Sequence, residues 1–412
     1  MVSSVLGMSV LGLSVLGLSV FGLSVSLVEL WAFAGSLAVL CVSLLLVVLS
    51  RRISSLDRVE AEPPLAYPKL SILIPACNEA NTLEAALRTL LAEDYPNLEY
   101  VLIDDRSTDE TAAIMERMAA EDARIRVLRV TELPEGWLGK VHALDQGAKI
   151  ATGEWLLFTD ADVHYRPGVL AQVMRLALAH EYDIVAIGPS FRAKSVMLRA
   201  MLIAFSALFL LAVRPDRVRH GTRKYFVGIG AFNLVRRSLF DRSPGFDALR
   251  MEVADDVGLA LILRDAGARA AFYLAAGRIH LEWYESVSAM LRGLEKNFFG
   301  VSMHWRFYRL FLVVPIFLTV IAAPWWALLQ SSSDVLRAFG AVAVLASLSS
   351  GVDWSRRARL GWVPGIFVPI GLSLVLTTLV RSAWVTFKHR GIDWRGTFYR
   401  IEALRRGQRL RL

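Results

Sequence analysis

Cysteine is nearly missing from this chain. Two occur in 412 residues, Cys41 and Cys77. The first lies in an apolar run and the second in a more polar region, so there is no disulfide framework and no metal-site spacing, and a reducing compartment suits both. Each reads as a small packing residue. Zinc-finger spacings and RNA-binding aromatic signatures are also missing, which argues against nucleic acid as a partner. No basic n-region opens the chain, so its start does not read as a secretory signal. Charge is sparse at 20%, against 55% hydrophobic residues and a mean hydropathy of +0.46. That is too apolar for a purely soluble enzyme and predicts several membrane segments beside a globular part.

The charge that is present is basic, +8 overall with a pI near 9.6. Much of it sits in residues 381–412, where nine Lys/Arg face only Asp393 and Glu402. Beside apolar segments, anionic lipid headgroups are the simplest partner for such a tail.

Residues 4–23 repeat a pentapeptide, SVLGM, SVLGL, SVLGL, SVFGL. A Gly at every fifth position fits neither a heptad nor a strand, and residues 1–25 are given no function. Residues 26–50 form an apolar run long enough to cross ~30 Å of hydrocarbon, an expected anchor. Arg51 and Arg52 follow at once, which predicts a cytoplasmic location for what comes next, in a multi-pass protein of the inner membrane. Residues 51–68 are polar, with Pro63, Pro64 and Pro68, and read as a linker.

From 69 to about 300 the pattern becomes short apolar runs alternating with helical periods. LSILIP (70–75), YVLIDD (100–105), IRVLRV (125–130), WLLFTDAD (155–162) and DIVAIG (183–188) read as buried strands. Helices are expected near 80–92, 108–122, 140–151 and 167–180. This alternation predicts an α/β domain with a mainly parallel sheet, whose ligands bind outside the carboxyl ends of the strands. Residues 196–213 are apolar but carry Arg199, and are read as an interfacial helix lying on the membrane. In the membrane region, 301–382, the runs 310–329 and 361–380 are strong spans and 339–351 is short and weak, giving two or three helices. The basic tail, 383–412, leans to the cytoplasm on charge, although that choice puts Arg356, Arg357 and Arg359 outside.

The unusual polar residues cluster at strand ends. One strand closes on Pro75, Asn78 and Glu79, the next on Asp104 and Asp105, where two adjacent carboxylates in an apolar sheet are costly without a partner. Thr108 and Asp109 read as helix capping. Asp160 and Asp162 follow the run Trp155–Phe158. On a continuing strand they would face the same side, and two converging carboxylates suit a hard divalent cation shared with phosphates. Lys140 enters a helix beside Gly136 and Gly139, a place to meet a phosphate. Glu252, Asp255 and Asp256 follow the aromatic, Gly-rich stretch 225–233. A carboxylate held there can act as a general base, with a helix cap as the alternative for Asp255.

In order and spacing, PACNE, VLIDDRSTDET, GKVHALDQGA, LLFTDADV, GAFNLVRR and EVADD resemble the family 2 glycosyltransferases of GT-A fold. The resemblance covers roughly residues 69–300 and implies a nucleotide-sugar donor, a divalent cation (Mg2+ or Mn2+) and inverting transfer by single displacement. It implies that Pro75, Asn78, Glu79, Asp104 and Asp105 line the nucleotide site and that Lys140 and Asp160 serve the ribose or diphosphate. Asp162, with Asp160 beside it, would hold the metal, and Asp256 would be the base. The GW-x-GK segment, the two-part membrane anchor and the tail GIDWRGTFY (391–399) resemble enzymes that glycosylate lipids such as carotenoid acids, hopanoids or ceramide. The Gln-x-x-Arg-Trp motif of processive synthases is replaced here by Gly293-Leu294-Glu295-Lys296-Asn297, which weakens the alternative of a polysaccharide synthase. Lys296 stands in for the Arg only as a point charge. A non-catalytic membrane protein that kept a donor-like domain is the third reading, and the presence of Asp160, Asp162 and Asp256 argues against it. His142, His164, His220 and His280 are assigned packing or surface roles.

Overall fold

The computed structural model of the chain describes residues 17–20, 23–220, 224–296 and 298–410. Of the pentapeptide repeat, residues 1–16 and 21–22 lie outside the described residues, while Gly17–Val20 and Leu23–Ser26 pair antiparallel. Helix α1 (Leu27–Arg52) then begins at a capping box. Ser26 Oγ accepts from the Glu29 N–H and Glu29 accepts from the Ser26 N–H, satisfying two donors that the helix start would leave bare. The expected linker is only partly loose. Leu56 is fully buried, the Gln172 amide donates to the carbonyls of Leu56 and Val59, and Ser55 bridges to Leu274.

The α/β domain runs β1 (Leu70–Ala76), α2 (Leu83–Leu91), β2 (Leu98–Asp105), α3 (Thr111–Glu121), β3 (Ile125–Val130), α4 (Gly139–Ile150), β4 (Trp155–Phe158), α5 (Val169–Ala179), β5 (Ile184–Gly188), α6 (Val196–Val213), β6 (Asn233–Arg236), α7 (Asp255–Asp265) and β7 (Ala270–Leu274). The seven strands stand in the order β7-β5-β6-β4-β1-β2-β3. Only β6 is antiparallel to its neighbours. Alternate residues of β1 enter opposite cores: Leu70, Ile72 and Ile74 join one, and Leu73 joins the other with Val101, Ile103, Leu156 and Phe158. Helices cover both faces, so the central strands are continuously apolar rather than alternating with polar residues.

One strand is shorter than expected. The run 155–162 stops at Phe158, and Asp160 and Asp162 lie on the loop beyond it. The strand-alternation argument therefore does not apply to the pair. The loop is held by other contacts: Tyr165 donates to Thr159 Oγ1 at 2.7 Å, Thr159 donates to the Ala231 carbonyl at 2.8 Å, and the Asp160 N–H donates to the Gly230 carbonyl at 3.0 Å.

Among the described residues, five helices are long and apolar enough to cross a membrane. Besides α1 and α6 they are α10, α11 and α12, defined as follows after α8 (Val287–Leu294) and α9 (Phe298–Met303). Helix α10 is Leu310–Gln330, α11 is Asp334–Arg357 and α12 is Val368–His389. The weak run 339–351 is thus the middle of one long helix; its polar flanks are helical too, which a window on hydropathy alone undercounts. Helices α1, α10 and α11 pack together, and their far ends meet at Ala32, Ala327 and Leu336. Helix α11 comes back to the α/β domain, where Arg359 just beyond it pairs with Asp57 at 2.8 Å.

Helices α6 and α12 pack on each other, with Gly371 against Ala200. Both begin and end against the α/β domain. Helix α6 follows Ala193, whose carbonyl accepts from Arg199, and leads to Arg219, which donates to the Phe272 carbonyl. Val368 at the start of α12 shares a core with Phe272, and Leu379 and Ala383 near its end share one with Phe299 and Trp305. The basic tail is also folded. It forms a hairpin, β8 (Gly391–Trp394) and β9 (Thr397–Arg400), and helix α13 (Ile401–Gly407), all docked on the α/β domain.

Candidate active site

The carboxyl ends of β1 and β4 and the N-termini of α4 and α7 converge on one cleft. It is lined by Pro75, Lys140, Thr159, Asp160, Gly230, Asn233, Asp255 and Asp256. At its centre Lys140 Nζ lies 2.7 Å from Asp160 Oδ1 and 3.3 Å from Asp255 Oδ2. Burial alone would discharge this lysine, but Asp160, Asp255 and Asp256 outweigh it and hold the ammonium more firmly than in water. Asp255 stands in the first turn of α7 as an ion-pair partner, and its side chain does not cap the helix.

Asp256 is fixed from beneath. Its Oδ2 accepts from the Gly230 N–H at 2.8 Å, its Oδ1 from the Val257 N–H at 2.8 Å, and its carbonyl from the Asn233 amide at 3.3 Å. Burial first, then the adjacent Asp255, pushes its proton affinity upward, with Lys140 opposing. The glycines of the stretch 225–233 explain themselves here. A Cβ on Gly230 would stand 2.6 Å from Asp160 Oδ2.

Asp162 lies beside this cluster and makes no ion pair among the described residues. Burial, then Asp160 and Glu79, pushes its carboxyl up to about 7. No group of three or more His, Cys, Asp or Glu gathers to hold a metal among the described residues. His164 and His280 stack face to face, ring centroids 5.2 Å apart, without a third ligand.

Toward β1 and β2 the expected residues are present but largely engaged. Asn78 adopts φ 57°, and its amide oxygen accepts from the Thr108 N–H at 2.8 Å. Asp104 accepts from the Ser107 N–H at 3.2 Å, and Asp105 is forked by the Arg106 guanidinium at 2.8 and 3.2 Å. Asp109 ties the same loops, accepting from the N–H groups of Thr111 and Ala80. Glu79 Oε1 pairs with Arg395 at 2.6 Å. Glu252 of the EVADD segment is not in the cleft; it is buried and accepts from the N–H groups of Arg409 and Leu410, anchoring the chain's end.

Sequence reasoning missed Arg106, Arg395 and Tyr399. Arg106 was readable, since an Arg directly after two buried acids is an obvious counter-ion. The other two come from some 300 positions away; they lie in the GIDWRGTFY segment, but nothing local ties that segment to the cleft. A larger cavity of about 460 Å³ lies elsewhere, between His180, Arg219 and Arg269, and no carboxylate pair faces it.

The family model for glycosyl transferase family 2 matches residues 71–243, which hold the cleft's two strands and the Asp160 loop. A PGL/p-HBAD biosynthesis glycosyltransferase of Mycobacterium bovis is 36% identical over 185 residues, 43% of this chain and 68% of that one. A GalNAc(5)-diNAcBac-PP-undecaprenol beta-1,3-glucosyltransferase of Campylobacter jejuni is 32% identical over 111 residues, 27% of this chain and 35% of its own. Glycosyltransferase AglD of Haloferax volcanii is 25% identical over 333 residues, 73% of this chain and 49% of its own. This chain thus spans only between a third and a half of the latter two relatives. Among solved structures, the mannosyltransferase PcManGT of Pyrobaculum calidifontis, in complex with GDP-Man and Mn2+, superposes with a TM-score of 0.54 at 21% identity. The match covers 87% of this chain and 99% of that one, a likeness of fold. With the mainly parallel sheet and the acidic strand ends already in place, these matches make the chain a member of the family 2 glycosyltransferases.

Proposed function

We propose that this enzyme transfers a sugar from a nucleoside-diphosphate sugar, with uridine as the expected base, to a hydroxyl or carboxyl of a membrane lipid, with inversion at the anomeric carbon. The observation that carries the reading is Asp256, held in the cleft by the Gly230 N–H at 2.8 Å beside the Lys140–Asp160–Asp255 cluster. A carboxylate of raised proton affinity suits a general base. It takes the acceptor's proton as the acceptor oxygen bonds to the anomeric carbon. The bond from that carbon to the diphosphate breaks on the opposite face, and the nucleoside diphosphate leaves. Lys140 and the N-terminus of α4 present positive charge to that leaving group. Pro75 and Glu79 would line the nucleotide directly. Asn78, Asp104 and Asp105, whose oxygens are already engaged, would shape its loops.

The donor set fits a hard divalent ion shared with substrate phosphates, Mg2+ or Mn2+. Asp162 would hold it, because its carboxyl is crowded by Asp160 and Glu79 and has no cation of its own. Asp160 would be the weaker second ligand, since Lys140 already takes one of its oxygens. When bound, such an ion neutralises charge on the leaving diphosphate. Mn2+ in the PcManGT complex and the undecaprenol-linked acceptor in the Campylobacter relative's name agree with this reading, while the donor in that complex, GDP-Man, carries guanosine in place of the expected uridine.

In the membrane, α1, α10 and α11 would be the crossings. Helices α6 and α12 would lie at the surface, because both ends of each return to the α/β domain. Arg51, Arg52, Arg356, Arg357, Arg359 and the tail then share the cytoplasmic side with the cleft, as the positive-inside rule asks, and Arg337 at the outer end of α11 pairs with Asp334. The decisive experiment incubates membranes bearing the protein with labelled nucleotide sugars and Mg2+ or Mn2+, then extracts lipid. Labelled lipid that does not lengthen at high donor concentration is expected; no label and no donor binding with any nucleotide sugar would refute the reading.

A further inference from the structure

The C-terminal hairpin turns through Arg395 and Gly396, with φ of +52° and +77°. Both central residues of this two-residue turn need positive φ, which Gly, Asn and Asp tolerate and Arg does not favour. An arginine kept in a strained conformation calls for a reason at its tip. Its guanidinium reaches the carboxyl end of β1, where it donates to the Cys77 carbonyl and to Glu79 Oε1. The rest of the hairpin touches the other loops of the nucleotide half of the cleft. Thr397 Oγ1 accepts from Arg106 at 3.4 Å, and the Tyr399 hydroxyl accepts from the Gly139 N–H, at the head of α4, at 3.3 Å. The Trp394 ring carries Lys296 Nζ 5.1 Å from its centroid. Lys296 makes no ion pair among the described residues, although it lies within the fields of Arg395, Lys140, Asp160 and Glu79. Lys140, Lys296 and Arg395, carried by three separate segments, therefore converge on one side of the cleft.

We infer that the hairpin 391–400 is a strap across the nucleotide half of the cleft, and that Arg395 at its tip is a donor-positioning residue that binds the diphosphate of the nucleotide. The inference rests on the donor-binding reading above. A planar guanidinium forks two phosphate oxygens, and the β-phosphate supplies a pair that the monophosphate lacks. Glu79 holds the fork in line until the diphosphate arrives. Because the strap follows α12 directly, the donor site is tied to the helix at the membrane surface.

The test uses the full-length chain in detergent, with UDP, UMP, GDP and GMP as competitors of donor binding. The wild type is expected to prefer the diphosphate over the monophosphate of whichever base it takes. Arg395→Ala should lower that preference by about tenfold and raise the donor KM by a similar factor, with kcat within about twofold. Arg395→Lys should recover part of both. An Arg395→Ala protein whose affinity for diphosphate and monophosphate is unchanged, or weakened equally, overturns the inference and leaves the glycosyltransferase reading intact. Should that variant fail to fold, limited trypsin cleavage of the wild type at Arg390, Arg395 and Arg400 decides. Slowing of cleavage by the diphosphate and not by the monophosphate supports the strap, and equal cleavage rates overturn it. A folded wild type that binds no nucleotide overturns both readings together.

Discussion

A Cβ on Gly228 would stand 1.8 Å from the carbonyl oxygen of Asp256. The backbone of one loop thus passes directly against the head of α7, and only hydrogen fits between them. Gly228→Ala must push Asp256 aside. A displacement of about 1 Å at a reacting group costs on the order of 10²-fold in rate. We expect Gly228→Ala to lose at least that much transferase activity while nucleotide binding, to which the loops after β1 and β2 also contribute, changes less. Initial rates and nucleotide titrations on the same preparation would check it.

Asp256→Asn keeps the shape and one of the two side-chain acceptors of the Gly230 and Val257 N–H groups, but cannot take a proton. Its kcat should fall by roughly 10²–10⁴-fold, the usual worth of a positioned base. Donor affinity should stay within about threefold, and a comparable loss of donor affinity would point instead to a binding role.

The two loop carboxylates should respond differently to metal. Chelation is expected to abolish transfer and added Mn2+ or Mg2+ to restore it. Asp162→Asn should shift the metal concentration for half-activity upward by about tenfold or more, and Asp160→Asn by less, because Lys140 already shares Asp160. Metal titrations of the two variants giving the reverse order would exchange the roles.

Glu93 offers a stability test away from the chemistry. Its Oε2 accepts from the N–H groups of Gly168 and Leu170 at the start of α5, and its Oε1 is buried without a hydrogen-bond partner. Burial, only partly offset by those N–H groups, pushes the carboxyl up to about 7. An unfolded Glu titrates near ~4.3, so between the two values the folded chain holds the extra proton. Stability from this group is complete below the lower value and is lost as pH rises through about 7. Glu93→Gln mimics the neutral form, so its melting temperature should exceed that of the wild type at pH 8 and approach it at pH 5.

Topology is open to labelling. Ser332, in the turn between α10 and α11, is exposed. In cells whose other cysteines are replaced, Ser332→Cys should react with a membrane-impermeant maleimide from outside, and Gln408→Cys should not. Labelling at both positions would mean that α12 crosses.

The α/β domain was legible because its signals are local. Apolar runs of five to eight residues at 70–76, 98–105, 125–130 and 184–188, separated by helical periods, can bury themselves only as a layered sheet. The acids at their ends were legible for the same reason, since Asp104 and Asp105 close a buried strand and Asp160 lies just past another. The hydropathy of 26–50 and 310–329 likewise announces helices without tertiary context.

Other features depend on contacts between distant segments. That Asp160 and Asp162 stand on a loop and not on β4 follows from Tyr165, Ala231 and Gly230 pulling residues 159–160 off the strand's line. That residues 391–400 cover the nucleotide end of the cleft depends on Arg395 meeting Glu79 more than 300 positions earlier. That α12 lies along the α/β domain while α10 runs out from it and α11 returns depends on where their ends dock; all three are apolar enough to cross, so hydropathy does not encode the difference. Composition and periodicity therefore determined the element types, the parallel sheet and the acidic strand ends, because each arises within one turn or one strand. Tertiary structure alone decided which glycines lie beneath Asp256 and Asp160, which cations neutralise the carboxylates and which apolar helices return to the cleft's side, because each is set by packing between elements far apart in the chain.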